Sequence, residues 1–287
     1  MNSTPGLHEL LKPERLTAAV DIGANPRASD GLPPYKVLLD LGICTIVGFE
    51  PQADSYAMLE QKKNDRETYL PYAIGDGGPG VLNVCAALGM TSLLVPDPRM
   101  LQCFQGFSDY GQVVETANIE TRTLDSIDEI TALDFLKIDI QGGELAAIRG
   151  GARKLAAAVA IQIEVSFMPL YRNQPVFGDI DLALRALGFV PHMFVNINKR
   201  MILPLRDNKN QFGAMNQLLE ADIVYVKDFS QPLSMTVEQL KHLALVSHHC
   251  YSSYDLATNC IHQLAQRGAV PADAVDQYLR MLVQQPG

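Results

Sequence analysis

Short apolar runs alternate with amphipathic segments along most of the chain, and most runs end at an acid or a glycine turn. LTAAVDIGA (16–24) predicts a strand, and PPYKVLLDLG (33–42) predicts a short helix opened by proline and closed by Gly42. CTIVGFEP (44–51) predicts the next strand, 52–62 a helix, and ETYLPYAIGD (67–76) a third strand. Residues 77–96 are Gly-rich and irregular, with a short strand at VLNVC, and residues 112–124 alternate enough for another. LDFLKIDIQG (133–142) then predicts a strand, 143–156 a helix, AAVAIQIEV (157–165) a strand and 176–187 an amphipathic helix. FVPHMFV (189–195) and ADIVYVKD (221–228) are the closing strands.

Strands alternating with helical segments of this length build βαβ units, hence an α/β fold with a mostly parallel sheet and helices on both faces. Right-handed crossovers place the strand C-termini along one edge, outside which ligands of open α/β sheets bind. Asp21, Glu50, Asp76, Asp139 and Glu164 are all expected on that edge. The tail beyond residue 230 departs from this rhythm. Leu240, Leu243, Ala244, Cys250, Tyr251, Tyr254, Ala257, Ile261 and Leu264 form a helical apolar stripe, and PADAVDQYLRMLVQQ predicts a further helix. The expected division is an α/β domain over 1–230 and a helical extension over 231–287, serving as a cap or as the interface of a homodimer.

Composition narrows the classes of partner. A net charge of -9, spread along the chain, argues against nucleic acid or an anionic membrane as the main partner. With 47% hydrophobic and 19% charged residues the composition is that of a globular protein. No run reaches the ~18 apolar residues of a membrane span, and the N-terminus lacks a secretory pattern. Cys44, Cys85, Cys103, Cys250 and Cys260 are scattered and form no CxxC, the pattern of reduced thiols in a cytoplasmic protein. His242, His248 and His249 match no zinc spacing, so no metal is expected.

The candidate chemistry lies in the turns. DIGANP (21–26) puts a glycine directly after a buried strand, where backbone can approach a ligand closely. G-x-G-x-x-G is absent, which counts against a nicotinamide-dependent oxidoreductase and leaves open a ligand without phosphates. Glu50, at the end of the second strand, can accept from both hydroxyls of a ribose.

LKIDIQGGELAAIRGGARKL (136–155) is the most specific stretch. With VDIGAN (20–25), VGFEPQ (47–52), YAIGD (72–76), TSLL (91–94), Thr123-Leu124-Asp125 and EVSFMPLYRNQPVF (164–177), it resembles the FkbM family of S-adenosylmethionine-dependent methyltransferases over about residues 18–228. The resemblance implies a Rossmann-like class I methyltransferase fold, a seven-stranded sheet with its last strand antiparallel. It implies S-adenosylmethionine as cofactor and O-methylation of a hydroxyl on a sugar, glycan or secondary metabolite. Asp21, Gly23, Ala24 and Asn25 would line the methionine portion, and Glu50 would bind the ribose beside Pro51 and Gln52. Ile74, Gly75 and Asp76 would border the adenine, and Asp139 and Gln141 would face the reactive end. One departure stands out: Pro26 and Arg27 follow Asn25 and the family's second glycine is missing, so residues 26–32 are where the grip on the methionine end of the cofactor would differ.

A hydroxyl acceptor must lose a proton, so a base is sought on the ligand edge. Asp139 and Glu164 lead, ahead of Glu144 and His192, because strand ends are rigid; Glu144 is otherwise an exposed first-turn helix acid. Arg172 is a candidate grip for an anionic group of the acceptor. The alternative to an enzyme is a non-catalytic binding or scaffold protein that keeps the fold.

Overall fold

The structure is a computed structural model and describes residues 6–26, 31–207, 209–210 and 213–284. Its main sheet has seven strands: β1 (Thr17–Ile22), β2 (Cys44–Phe49), β3 (Glu67–Leu70), β7 (Phe135–Ile138), β8 (Ala160–Ser166), β9 (Phe189–Arg200) and β10 (Gln217–Lys227). Their order is β3-β2-β1-β7-β8-β10-β9. The first five pair in parallel, and β10 runs antiparallel to both β8 and β9. This is the Rossmann-like arrangement with an antiparallel closing strand. The chain winds outward from β1 to β3 and then crosses back to β7, so the order reverses between β1 and β7, where open sheets leave a crevice for ligands.

Each face of the sheet is buried by its own helices. On one face Val20, Ile22, Leu136, Ile138, Ile161 and Ile163 pack against Leu145 and Ile148 of α6 (Glu144–Arg149) and Ile180 and Leu184 of α8 (Phe177–Ala186). On the other, Ala19, Cys44, Ile46, Phe135 and Val224 pack against α1 (Leu7–Leu11), α2 (Lys36–Asp40), α9 (Val237–Tyr251) and α10 (Tyr254–Gln266). α11 (Ala274–Gln284) adds Tyr278 to the same cluster. The boundary drawn at residue 230 falls between β10 and α9, and this one hydrophobic cluster runs across it. Most of the tail stripe, from Leu240 to Leu264, is spent inside the molecule, while Tyr254 turns outward. α3 (Ala53–Lys62) follows β2 on a more exposed flank.

A second sheet, β4-β6-β5, rises from the segment between β3 and β7 and comprises β4 (Ala73–Ile74), β5 (Pro79–Cys85) and β6 (Val113–Arg122). Between β5 and β6, α4 (Pro98–Leu101) and α5 (Phe107–Tyr110) close a small core of Leu101, Phe104 and Phe107 against Leu170, Tyr171 and Leu219. Two expectations are corrected here. The run at 67–76 is two strands in two different sheets, because Pro71 has no N–H with which to continue the ladder. The helix at 143–156 divides into α6 and α7 (Ala152–Leu155) at Gly150-Gly151. There the backbone passes so close that a Cβ on Gly150 would lie 2.9 Å from the Gly75 carbonyl oxygen.

Candidate functional site

Three turns meet at the reversal point. At the end of β1, Gly23 takes φ +88, and a Cβ there would lie 2.0 Å from the Asp139 carbonyl oxygen, so only glycine fits. The N–H groups of Gly23 and Ala24 both donate to the Phe49 carbonyl, at 3.1 and 3.0 Å, and Asn25 N–H donates to Gly23 at 2.8 Å. The Asp139 N–H donates to the Ile22 carbonyl at 3.0 Å. The ends of β1, β2 and β7 are thereby fixed to one another through backbone. Of the atypical turn at 26–32, residues 27–30 lie outside the described residues.

Glu50 follows β2 and is 3% exposed, its Oε1 accepting from the Gln52 N–H at 2.8 Å as α3 begins after Pro51 and Gln52. Ile74 ends β4 of the neighbouring small sheet, and Gly75 follows it, its N–H donating to the Arg122 carbonyl at 2.9 Å. Asp76 therefore ends no strand of the main sheet. It is exposed, and its Oδ1 accepts from Thr121 Oγ1 and Gly78 N–H, each at 3.3 Å. Asp21 lies within β1 rather than at its tip. Its buried carboxylate accepts from Tyr35 Oη at 2.6 Å and faces Lys137 Nζ at 3.5 Å.

The 139–144 loop carries the densest chemistry. Gln141 holds φ +56, a left-handed conformation that costs a non-glycine residue about 1–2 kcal/mol. Its neighbours enforce it. Ser92 Oγ donates to the Gln141 carbonyl at 2.6 Å, and Glu144 Oε1 accepts from the N–H groups of Ile140 and Gly142, both at 3.1 Å. The Gln141 side-chain nitrogen then donates to Asp139 Oδ1 at 3.0 Å and to Glu164 Oε2 at 2.8 Å, clamping two carboxyl groups. Glu220 and Asp222 of β10 complete the group, Asp222 directly opposite Glu164 in the ladder.

Burial pushes the Glu164 carboxyl well above the usual range, reinforced by Asp139, Glu220, Glu144 and Asp222. Burial also raises Glu220, against the pull of Asn198, whose side chain donates to it at 3.0 Å, and of Arg200. Burial opposes the charge of Lys137, but Asp21, Asp139 and Asp222 together hold its ammonium well above the ordinary range.

Two other expectations, for Glu144 and His192, are corrected by placement. Glu144 is 6% exposed, not a solvated helix acid, and staples the loop. Burial raises it to about 7. His192 lies away from the ligand edge, its Nε2 2.8 Å from Ser253 Oγ in the turn between α9 and α10. His242 and His248 pack inside the tail, bonded to Thr17 Oγ1 at 3.1 Å and Tyr278 Oη at 2.9 Å. Arg172 is exposed and lines an open cleft of about 310 Å3 with Val95, Pro96, Leu101 and Gln112. Lys137, Glu220 and Asp222 were not singled out in the sequence. The signal available was the two-residue spacing of acids in LEADIV, which puts both on one face of a strand.

A family model, the methyltransferase FkbM domain, matches residues 21–191. Among solved structures, the chain is similar to a magnesium protoporphyrin IX methyltransferase from Synechocystis with bound SAM, at 8% identity, covering 75% of this chain and 71% of that one, with a TM-score of 0.38. It is similar to a TehB-like SAM-dependent methyltransferase from Corynebacterium glutamicum, at 12% identity over 75% and 82% of the two chains, with a TM-score of 0.33. A protein of the NADB-Rossmann superfamily from Streptococcus agalactiae aligns at 12% identity over 98% of both chains, with a TM-score of 0.35. No curated protein matches the chain significantly.

Proposed function

The chain belongs to the FkbM methyltransferase family, and from that premise we propose that it methylates a hydroxyl of a sugar, glycan or secondary metabolite with S-adenosylmethionine as donor. The observation that carries the reading is the buried Glu50 carboxylate, set beside the Gly23 turn at the point where the strand order reverses. The donor set fits a nucleoside without phosphates. A carboxylate held at a strand end suits a ribose diol, and a glycine turn lacking G-x-G-x-x-G offers no cradle for a pyrophosphate.

When bound, S-adenosylmethionine would supply a methyl group activated by its sulfonium. Glu50 would accept from the ribose hydroxyls, oriented by the Gln52 N–H and flanked by Pro51. Gly23, Ala24 and Asn25 would border the methionine portion with backbone, and Ile74, Gly75 and Asp76 the adenine. Asp21 would act from beneath, holding Tyr35 and Lys137 under the turn. Asp139 and Glu164, fixed by Gln141, would meet the acceptor hydroxyl, and one of the two would take up its proton. Much of the rate would come from alignment, which a backbone-tied edge provides.

Calorimetric titration with S-adenosylhomocysteine tests the reading. Micromolar binding that weakens by about tenfold or more in Glu50→Ala, a loss of about 1.4 kcal/mol, is the expected result and justifies a screen of hydroxylated acceptors with a methyl-labelled donor. A folded protein with no binding would leave the scaffold reading in its place.

A further inference from the structure

Cations and acids are unevenly distributed around the clamped pair. Lys137 faces Asp21, Asp139 and Asp222. Arg200 bears on Glu220, which also has the Asn198 amide. The charges that bear most strongly on Glu164 are all negative: Asp139 at the end of β7, Glu144 on α6, and Glu220 and Asp222 on β10. Tyr171, from the segment after β8, adds a phenol rather than a cation. Among acids this close, a proton settles on the one with least compensation.

We infer, on the methyl-transfer reading of this edge, that Glu164 and Asp139 hold different roles: Glu164 is a carboxylic acid that donates a hydrogen bond to the acceptor, Asp139 is the base, and Gln141 is the positioning residue that holds them apart. The clamp geometry keeps the two carboxyls separate, and the uneven cations around them assign the proton. One amide nitrogen has two hydrogens, and it gives one to each carboxyl, at 3.0 and 2.8 Å. The two acids are thus kept from bonding directly to each other and sharing a proton between them. As the acceptor oxygen bonds the methyl carbon, the methyl–sulfur bond breaks with its electron pair on sulfur. The hydroxyl proton passes to Asp139, and Glu164 keeps its own. A site built this way selects an acceptor with an oxygen lone pair near the reacting hydroxyl, as a vicinal diol or hydroxy ether has.

The test is carboxyl-carbon NMR on the full chain labelled at glutamate side chains, with the Glu164 signal assigned by its loss in Glu164→Gln. Glu164 is expected to stay protonated at a pH where the exposed glutamates are ionised. Asp139→Asn should lower its midpoint by removing a facing charge. Glu220→Gln should do the same if Asp139→Asn fails to fold. Gln141→Ala should raise it further, since a donated N–H favours the carboxylate; a merely structural Gln141 would leave it in place. A Glu164 that titrates with the exposed glutamates overturns the assignment. S-adenosylhomocysteine titration of the same samples separates the two failures. Binding with an ordinary Glu164 removes this assignment alone, and a protonated Glu164 without binding removes the methyl-transfer reading and the acceptor role with it.

Discussion

Glu144 shows what a single side chain does to the candidate site. It is buried, accepts from two backbone N–H groups, and holds Gln141 in a conformation that the chain would otherwise leave. Burial lifts its carboxyl from 4.5 to about 7, in spite of those donors. The native state therefore keeps a proton that the unfolded chain releases, so the contribution to stability is full below about 4.5 and is lost as pH rises through about 7. The Glu144 contribution, read as the difference between wild type and Glu144→Gln in urea titrations across that window, should fall with pH. In Glu144→Gln that fall should be removed, a change in slope of up to ~1.4 kcal/mol per pH unit, while Glu164 and Glu220 still act in the same direction and the buried or half-buried His192, His242, His248 and His249 in the opposite one. An identical slope in the variant would mean that Glu144 is ionised in the native protein. At this scale the placement of Glu50, Asp139 and Gln141 just beyond strand ends was legible, because they sit in motifs that follow apolar runs. The function of Glu144 was not. A first-turn acid reads as solvated unless one knows that the preceding loop folds back over it.

Element boundaries were legible where periodicity and punctuation agreed. Gly42, at φ +74, follows α2 as the pattern at 33–42 predicts, and β1, β2 and β8 occupy their apolar runs. Pro71 and the Gly150-Gly151 pair were weaker signals, because a proline or glycine inside a run breaks an element only when the surrounding packing requires it. The 86–112 insertion was illegible for a different reason: α4 and α5 are single turns, stable only against Leu170, Tyr171 and Leu219 far along the chain. α9 is the opposite case. Thr236 Oγ1 accepts from the Gln239 N–H at 3.1 Å while Gln239 Oε1 accepts from the Thr236 N–H at 2.9 Å, a reciprocal cap. Thr236→Ala should therefore cost about 1 kcal/mol of global stability by denaturant titration. No change would mean that α9 is held by its packing alone.

The whole molecule ties that tail to the sheet that carries the candidate site. Tyr251 Oη donates to Gln162 Oε1 at 2.9 Å, two residues before Glu164 on β8, and His242 reaches Thr17 on β1. Leu240, Leu243, Ala257 and Ile261 bury the same sheet face that carries Ala19, Phe135 and Val224. Each large apolar side chain laid bare there forfeits about 1.5–3 kcal/mol, and the net stability of a domain is only about 5–15 kcal/mol. A protein ending at residue 230 should consequently lose cooperative unfolding and bind S-adenosylhomocysteine no longer, although every motif residue from Asp21 to Glu164 remains. Light scattering on it should report aggregates and not a smaller monomer, so the homodimer expected of the tail is a question for the full chain. If the shortened protein instead stayed soluble, unfolded in one step and bound the ligand, α9 to α11 would be an appendage, and their apolar stripe would again be free to meet a second copy.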